Sequence, residues 1–303
     1  MLRTTLPYCL TNYIFSFTGK IIHAWSKTKR INSTKRAEWW MRNMWDMYEE
    51  TGNERIMPNV FTYSTVIKSW CDQNEPAKAE ELLEELLAMD KRKDIPIKVN
   101  RDAFELVIAA WVDYESNAPR EDSEIGCERA ENLLNKLIEE ENNGVGNIST
   151  SPEIFNAVLK ATAVSSSRSM EVFDIALRTF KKLESSYHTP NNISYRWLLR
   201  TGLSVLTMPS DDTMRRAFLD KYIKKCCDDG MLCRGVVRAV ANCPVYRHGL
   251  TIEESSRLVN ENFGDWPISK SWSSSVPKQE HVPAAEDFER YKFDLQPQDY
   301  VDR

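Results

Sequence analysis

The side chains that commonly carry out catalysis are scattered along this sequence. The four histidines, which share no motif, are His23, His188, His248 and His281. The paired acids Asp211-Asp212 and Asp228-Asp229 are typical of helix starts and turns. A Gly-rich phosphate loop and a His-Glu-x-x-His motif are both absent from the sequence. We therefore predict a protein that has no catalytic residues and no cofactor.

The cysteines offer one candidate metal site. Four of the seven fall between Cys226 and Cys243, and His248 follows closely. This spacing fits no common zinc-ligand pattern, and no Cys-x-x-Cys occurs. A chain of 303 residues, 42% hydrophobic, can build a core without disulfides. We predict no metal site, and buried free thiols in a reducing compartment.

Electrostatic binding of an anion is the chemistry that the residue pattern supports. Cationic side chains and one histidine lie at helical spacing in the repeated segments described below: Lys20, His23, Lys27, Lys68, Lys160 and Arg200. Such residues could contact phosphate groups. The alternative is that they are ordinary exposed side chains, and the net charge of −5 is not that of a strongly basic nucleic-acid-binding protein. Charge is also uneven, since Lys20 to Arg42 holds seven basic residues against one acid.

The elements that position these residues are predicted by a repeated pattern, aromatic-x-x-aliphatic-aliphatic. Its four full copies are Tyr63/Val66/Ile67, Phe104/Val107/Ile108, Phe155/Val158/Leu159 and Tyr195/Leu198/Leu199. A fifth copy, Thr18/Ile21/Ile22, lacks the aromatic residue. Apolar residues three and four positions apart form one stripe of an α-helix.

A second motif follows the first in three copies: Arg36-Ala37-Glu38, Lys78-Ala79-Glu80 and Arg129-Ala130-Glu131. Apolar residues then recur at helical spacing, which predicts a second helix in each unit. Small residues at Ala37, Ala79, Ala130 and Ala176 would let helices approach closely. Tandem helix pairs of this kind indicate a solenoid.

We therefore predict an all-α protein built as an α-solenoid of about five antiparallel helix pairs over residues 15–230. The pairs are expected to start near residues 15, 60, 101, 152 and 192. C-terminal capping helices are predicted over residues 231–264, and a largely disordered tail over residues 265–303. No apolar run is long enough to span a bilayer, so no membrane partner is expected.

The repeats resemble those of a known family. Val60 to Ile67, preceded by Pro58-Asn59, is similar to the start of a pentatricopeptide repeat, or PPR. The stretches Ile21 to Lys27, Arg36-Ala37-Glu38 and Ile268 to Ser273 resemble a PPR-like group of diatoms and related algae. The resemblance covers roughly residues 15 to 230.

This resemblance implies a right-handed α-solenoid that binds single-stranded RNA, with two side chains of each repeat facing one base. The first class of these positions is Gly19, Ser64, Glu105, Asn156 and Arg196, and the second is Asn59, Asn100, Ser151 and Asn191. By the family's rule, Ser64 with Asn100 favours adenine, and Asn156 with Asn191 favours a pyrimidine. The predicted RNA-binding residues are Ser64, Asn100, Asn156, Asn191, Arg196, Lys68, Lys160 and Lys20.

The sequence also departs from the family's pattern. Its repeats are longer than the standard unit, so one base per repeat cannot be assumed. Gly19 offers no side chain, and Glu105 would repel a phosphate. Arg196 could bind phosphate or stack on a base instead of discriminating between bases.

Two functions follow as hypotheses. The first is a non-catalytic, monomeric RNA-binding adaptor for processing, stability or translation of transcripts, with other RNA-processing proteins as partners. The resemblance places it in a mitochondrion or plastid, although a first repeat near residue 15 leaves little room for a presequence. The second is a protein-interaction scaffold of tetratricopeptide type, with the acidic run Glu80 to Glu85 on an outer helix face and no nucleic acid.

Overall fold

The computed structural model describes residues 8–28, 32–92, 95–118, 124–144 and 148–241. The helices are α1 (Tyr8–Lys27), α2 (Ser33–Thr51), α3 (Val60–Cys71), α4 (Pro76–Asp90), α5 (Arg101–Asn117), α6 (Ile125–Asn142), α7 (Pro152–Val164), α8 (Met170–Ser185), α9 (Asn192–Val205), α10 (Asp212–Asp228) and α11 (Arg234–Ala241). Each odd-numbered helix from α1 to α9 packs against the helix that follows it, which makes five pairs. The predicted all-α helical-repeat solenoid is confirmed.

The first helices of the pairs form one continuous layer. Helix α1 packs on α3, α3 on α5, α5 on α7, and α7 on α9, and the short α11 extends the layer beyond α9. Successive second helices pack less closely on one another than successive first helices do. The closest pair of second helices is α6 and α8. Closer spacing in one layer curves a stack toward that layer, so the first helices line the inner surface.

The aromatic residue of each pattern holds its repeat in the core. Tyr63, Phe104 and Tyr195 are fully buried, and Phe155 is nearly so. Tyr63 also accepts a hydrogen bond at its hydroxyl from Trp45 Nε1 at 2.9 Å, which ties α3 to α2. Ring burial fixes the rotation of each of these helices about its axis, and on α3 the hydrogen bond to Trp45 adds to this.

Small residues allow the close contact of the second helices with the first. Ala37, Ala79, Ala130 and Ala176 all have no exposed surface. Helix packing brings axes to within about 8–10 Å, and a methyl group is what fits at such a crossing. The role predicted for these alanines agrees with their burial.

The glutamates on the second helices join one repeat to the next. Ion pairs cross the junction between each pair of successive second helices: Arg42–Glu85, Glu80–Arg129, Glu84–Lys136, Glu131–Arg178, Glu131–Lys182 and Glu184–Lys225. Two tryptophan N–H groups add to this. Trp70 Nε1 donates to Glu38 Oε2 at 3.0 Å, and Trp111 Nε1 donates to Glu80 Oε2 at 2.8 Å. The acidic run from Glu80 to Glu85 is therefore largely used between repeats.

A buried carboxylate positions the connection that leads into α5. Asp90 is 5% exposed, and its carboxylate accepts from Lys98 Nζ at 2.6 Å and from the backbone N–H of Val99 at 3.1 Å. These two bonds fix the chain just before Asn100. The start of α5 is thereby held at a defined place beside α3.

The array begins with α1 and is extended at its C-terminal side by α11. Helix α1 begins at Tyr8, earlier than the predicted start near residue 15. No proline or glycine lies between Tyr8 and Thr18 to end a helix there. At the other end, α11 lies where the first capping helix was predicted, and residues 242–303, with the second capping helix and the tail, fall outside the described residues.

The close approach at Ala79 gives a first prediction. Ala79→Leu is expected to destabilise the fold by roughly 1–3 kcal/mol, because its extra carbons would overpack the crossing. Ala88→Leu on the same helix is the matched control, since Ala88 is exposed. Urea denaturation followed by circular dichroism measures both, and equal midpoints for the two variants would contradict the packing account.

The Trp111 hydrogen bond gives a second prediction. Glu80→Ala leaves the indole N–H of a tryptophan that is only 5% exposed without its acceptor. The expected loss is about 1–3 kcal/mol of unfolding free energy. Glu81→Ala, an exposed neighbour on the same helix, should change stability by less than about 0.5 kcal/mol. Thermal melts of the two variants should separate clearly.

Candidate nucleic-acid interface

Each first helix has one stripe of side chains that faces away from the core. On α3 it consists of Phe61, Ser64, Lys68 and the C-cap residue Asp72, which are three or four residues apart and exposed or half-buried. The equivalent stripes are Gly19, His23 and Lys27 on α1; Asp102, Glu105, Ala109 and Asp113 on α5; Glu153, Asn156, Lys160 and Val164 on α7; and Ile193, Arg196, Arg200 and Ser204 on α9. We call these the inner stripes.

A groove of about 560 Å³ runs across the inner stripes of α1, α3 and α5. Ser64, Lys68 and Asn100, three of the predicted RNA-binding residues, line it together. His23 and Lys27 line it from α1. The structure thus brings these three predicted residues to one surface.

The Ser64 hydroxyl oxygen is shielded from solvent and has no hydrogen-bond partner. A shielded polar atom without a partner is costly, so it gains from any ligand group that supplies one. Rotation about a single bond would turn this hydroxyl without breaking an existing side-chain hydrogen bond. Of the groove's polar groups, Ser64 is therefore the one best prepared to take a new partner.

The second class of predicted base-facing residues sits at the N-termini of the first helices. Asn59, Asn100 and Asn191 are the N-caps of α3, α5 and α9, and each side-chain oxygen accepts backbone N–H bonds from its helix. At Asn100 the acceptor bond is from Ala103 N at 3.3 Å, and its amide Nδ2 donates to Asp102 Oδ2 at 3.4 Å. These asparagines serve the fold whether or not they also contact a base.

Asn156 and Asn191 contact each other directly. Asn156 Nδ2 donates to Asn191 Oδ1 at 3.2 Å, and Asn156 Oδ1 accepts from Ser194 Oγ at 2.7 Å. Asn156 is only 6% exposed. The pair predicted to read one base therefore forms a hydrogen-bonded link between α7 and α9, and a base would have to compete with that link.

The inner stripe of α9 carries two arginines that flank one tryptophan. The guanidinium carbon of Arg196 lies 5.0 Å from the Trp197 ring centroid, and that of Arg200 lies 5.6 Å from it. Cation–π contact of this kind orients a guanidinium over the face of the ring. Lys160 lies on the inner stripe of the adjacent helix, α7.

A row of basic residues follows one helical turn after the first-class positions. Its members are His23, Lys68, Lys160 and Arg200, with Ala109 at the equivalent place on α5. These four residues could be predicted from the sequence only one at a time, and alignment of the helices shows that they share one position. Lys20 is exposed on α1, one residue after Gly19 and three residues before His23 of this row.

Phe61 was not selected from the sequence, yet it is the exposed aromatic side chain of the α3 stripe. It is 69% exposed and lines the same groove as Ser64. The signal was available, because Phe61 lies three residues before Ser64 and so shares its face of the helix. It offers a flat apolar surface at the groove.

Glu105 has a partner that its sequence position did not reveal. Its carboxylate pairs with Arg101 Nε at 3.0 Å. Burial raises the pKa of Glu105, Arg101 lowers it, and the nearby Asp102 and Glu153 carboxylates raise it further. Three carboxylates therefore share one neighbourhood on the inner face of α5 and α7.

Three of the described cysteines, Cys71, Cys226 and Cys227, are poorly suited to nucleophilic chemistry. Burial raises the pKa of Cys71 to about 12 and that of Cys227 to about 11, and it also raises that of Cys226. The thiolate is the reactive form, so these thiols stay protonated at neutral pH. Within the described residues no group of three or more possible metal ligands is found. Cys243 and His248, named for the alternative zinc site, lie outside them.

Across the parts of the chain that the structure describes, no helix combines the length and apolar character needed to cross a membrane. A comparison with curated proteins finds no match to this chain. A family model described as PPR repeat matches residues 54–87, which contain all of α3, most of α4 and the groove residues Ser64 and Lys68. The match covers one helix pair of the array, and it supports a repeat of PPR type at that place.

Proposed function

We propose that this protein binds single-stranded RNA along the surface formed by its first helices, as a non-catalytic adaptor. The observation that carries the proposal is the row formed by His23, Lys68, Lys160 and Arg200, beside the partner-free hydroxyl of Ser64. Each member lies at the same place on a different first helix. A backbone that crosses the helices in order would meet them one after another.

The phosphates would be held by the basic row. Lys68 pairs only weakly with Asp72, at 3.4 Å between two exposed side chains, so it can turn to a phosphate at small cost. Arg200 and Arg196 present N–H donors in the fixed fork that matches phosphate oxygens. Contacts of this kind supply affinity without regard to base sequence.

The bases would meet Phe61 and Ser64. The exposed ring of Phe61 offers a stacking surface, and stacking on an aromatic side chain contributes about 1–3 kcal/mol per base. The Ser64 hydroxyl could then donate to or accept from a base edge. By the family resemblance, Ser64 with Asn100 favours adenine at this position.

Arg196 contributes binding more than discrimination in this proposal. Its guanidinium is oriented by Trp197 and can stack on a base of any kind or bind a phosphate. Asn156 and Asn191 are already bonded to each other, so a pyrimidine preference there requires that the base replace part of that network. Base reading is thus proposed to be strongest at Ser64.

The biological setting is proposed from the family resemblance. We infer a monomer that acts in a mitochondrion or plastid, on the processing, stability or translation of transcripts, with RNA-processing proteins as partners. The alternative function, a tetratricopeptide-type scaffold, is suggested by the acidic faces of the second helices. Glu80, Glu84 and Glu85 are used in pairs between repeats, which reduces what those faces offer to a partner.

RNA binding is tested with a random single-stranded pool at two salt concentrations. The affinity is expected to fall steeply with salt. In a plot of the logarithm of the binding constant against the logarithm of the salt concentration, each phosphate contact should contribute about 0.7 to the negative slope. Lys68→Glu combined with Lys160→Glu should weaken binding strongly and lower that slope by about 1.4. The matched control is Lys181→Glu combined with Lys224→Glu, which reverses two exposed charges on the second helices α8 and α10. Both double variants should keep the melting temperature of the unaltered protein. Absence of binding at low salt would favour the scaffold.

Base reading at Ser64 is tested by sequencing the RNA that the protein selects. Ser64→Asn places an asparagine opposite Asn100, which copies the Asn156 and Asn191 combination. The expected result is a change from adenine toward a pyrimidine at one position of the selected RNA. Thr65→Asn, at the next position on the same helix, should leave the preference as it was. An unchanged preference in Ser64→Asn would show that this side chain does not contact the base.

A further inference from the structure

The inner stripe of α5 differs in charge from those on both sides of it. It carries Asp102, Glu105 and Asp113, with Ala109 where the other first helices have a basic residue or histidine. Asp102 and Asp113 are exposed, and Glu105 is half-buried. The middle of the inner surface is therefore its most acidic part.

The acids of α5 have little compensation within the stripe. Arg101 pairs with Glu105, and both side chains are about 40% exposed. Glu153, in the first turn of α7, adds a further carboxylate near Glu105. Asp113 lies near Cys71 of α3, as do Asp72 and Lys68. The acids of this stripe thus extend from Asp102 to Asp113 along α5.

Basic residues lie at both ends of the inner surface. Lys20, His23 and Lys27 lie on α1, and Lys68 lies on α3. At the other end Lys160 lies on α7, and Arg196 and Arg200 lie on α9. The order along the surface is therefore basic, acidic, basic.

We propose that RNA is bound in two separate segments, one across α1 and α3 and the other across the second half of α7 and α9. The nucleotides between them pass over α5 without phosphate contact. This inference rests on the proposed function, and it concerns which part of the strand the protein holds. It distinguishes this surface from one that holds a continuous strand.

The length scale of screening supports such a division. Neighbouring first helices are about 8–10 Å apart, and the Debye length at physiological ionic strength is about 8 Å. Repulsion from the α5 carboxylates would act on phosphates over α5 and fade by the neighbouring helices. The two basic segments would still attract phosphates, whereas the surface of α5 between them would not.

The first arm of the test leaves the protein unchanged and alters the RNA. A selected oligoribonucleotide is made with uncharged methylphosphonate linkages either in its centre or at both ends. The expected result is that the central replacement keeps or increases affinity, up to a few-fold, while the terminal replacement lowers it at least ten-fold. An equal loss from the two replacements would mean a continuous phosphate contact and would overturn the division.

The second arm changes the acids. Asp102→Asn with Glu105→Gln should increase affinity for fully charged RNA several-fold and make the salt dependence steeper. The same variant should show no gain on RNA with a neutral centre. Glu81→Gln with Asp174→Asn, exposed acids on second helices, is the control with equal charge change. If helix α5 is weakened, Asp113→Asn at its other end replaces the double variant, with the same expected direction.

The outcomes separate the two proposals. If the unaltered protein binds no RNA at low salt, the proposed function fails, and the division fails with it. The protein could bind RNA while replacement of the α5 acids brings no gain in affinity and an uncharged RNA centre weakens binding. In that case only the proposal of two separate segments fails.

Discussion

Close packing between successive first helices is the constraint on which the structure depends. It requires the buried rings of Tyr63, Phe104, Phe155 and Tyr195, which fix each helix about its own axis, and the small residues that admit a second helix beside it. Once that rotation is fixed, the residue after each aromatic and the residue one turn later must face the same surface. The inner stripes are therefore a consequence of core packing, and their charges can vary without loss of the fold.

Polar residues that resemble ligand-binding groups often serve the array itself. Glutamates of the second helices take tryptophan N–H groups and basic side chains from the next repeat. Asparagines at the helix starts cap the first helices. The residues proposed to contact RNA are a smaller set, namely the basic row, Phe61 and the Ser64 hydroxyl. Many acids of this chain lie on the second helices and pair there between repeats, so the net charge of −5 does not describe the inner surface.

The periodic features of the fold could be predicted from the sequence, because aromatic and aliphatic spacing directly encodes which face is buried. The starts of α3, α5, α7 and α9 followed from it. The start of α1 did not, since Tyr8 to Phe17 shows no clear stripe. Contacts between residues far apart in sequence were also hidden. Glu115, for example, is buried and caps α6 through the N–H groups of Glu124 and Gly126, both at 2.9 Å, although nothing in its local sequence marks it.

For the candidate site, single residues could be predicted from the sequence, and the fold shows which of them lie together. Ser64, Lys68 and Asn100 line one groove, as the family resemblance implies, whereas the sequence does not predict the hydrogen bond between Asn156 and Asn191.

The central claim is that the first helices form the RNA-binding surface. Photo-crosslinking with 4-thiouridine RNA, followed by peptide mass spectrometry, tests it most directly. Crosslinks should map to the inner stripes of α3 and α9, including Phe61, and crosslinks confined to the second helices would contradict the account.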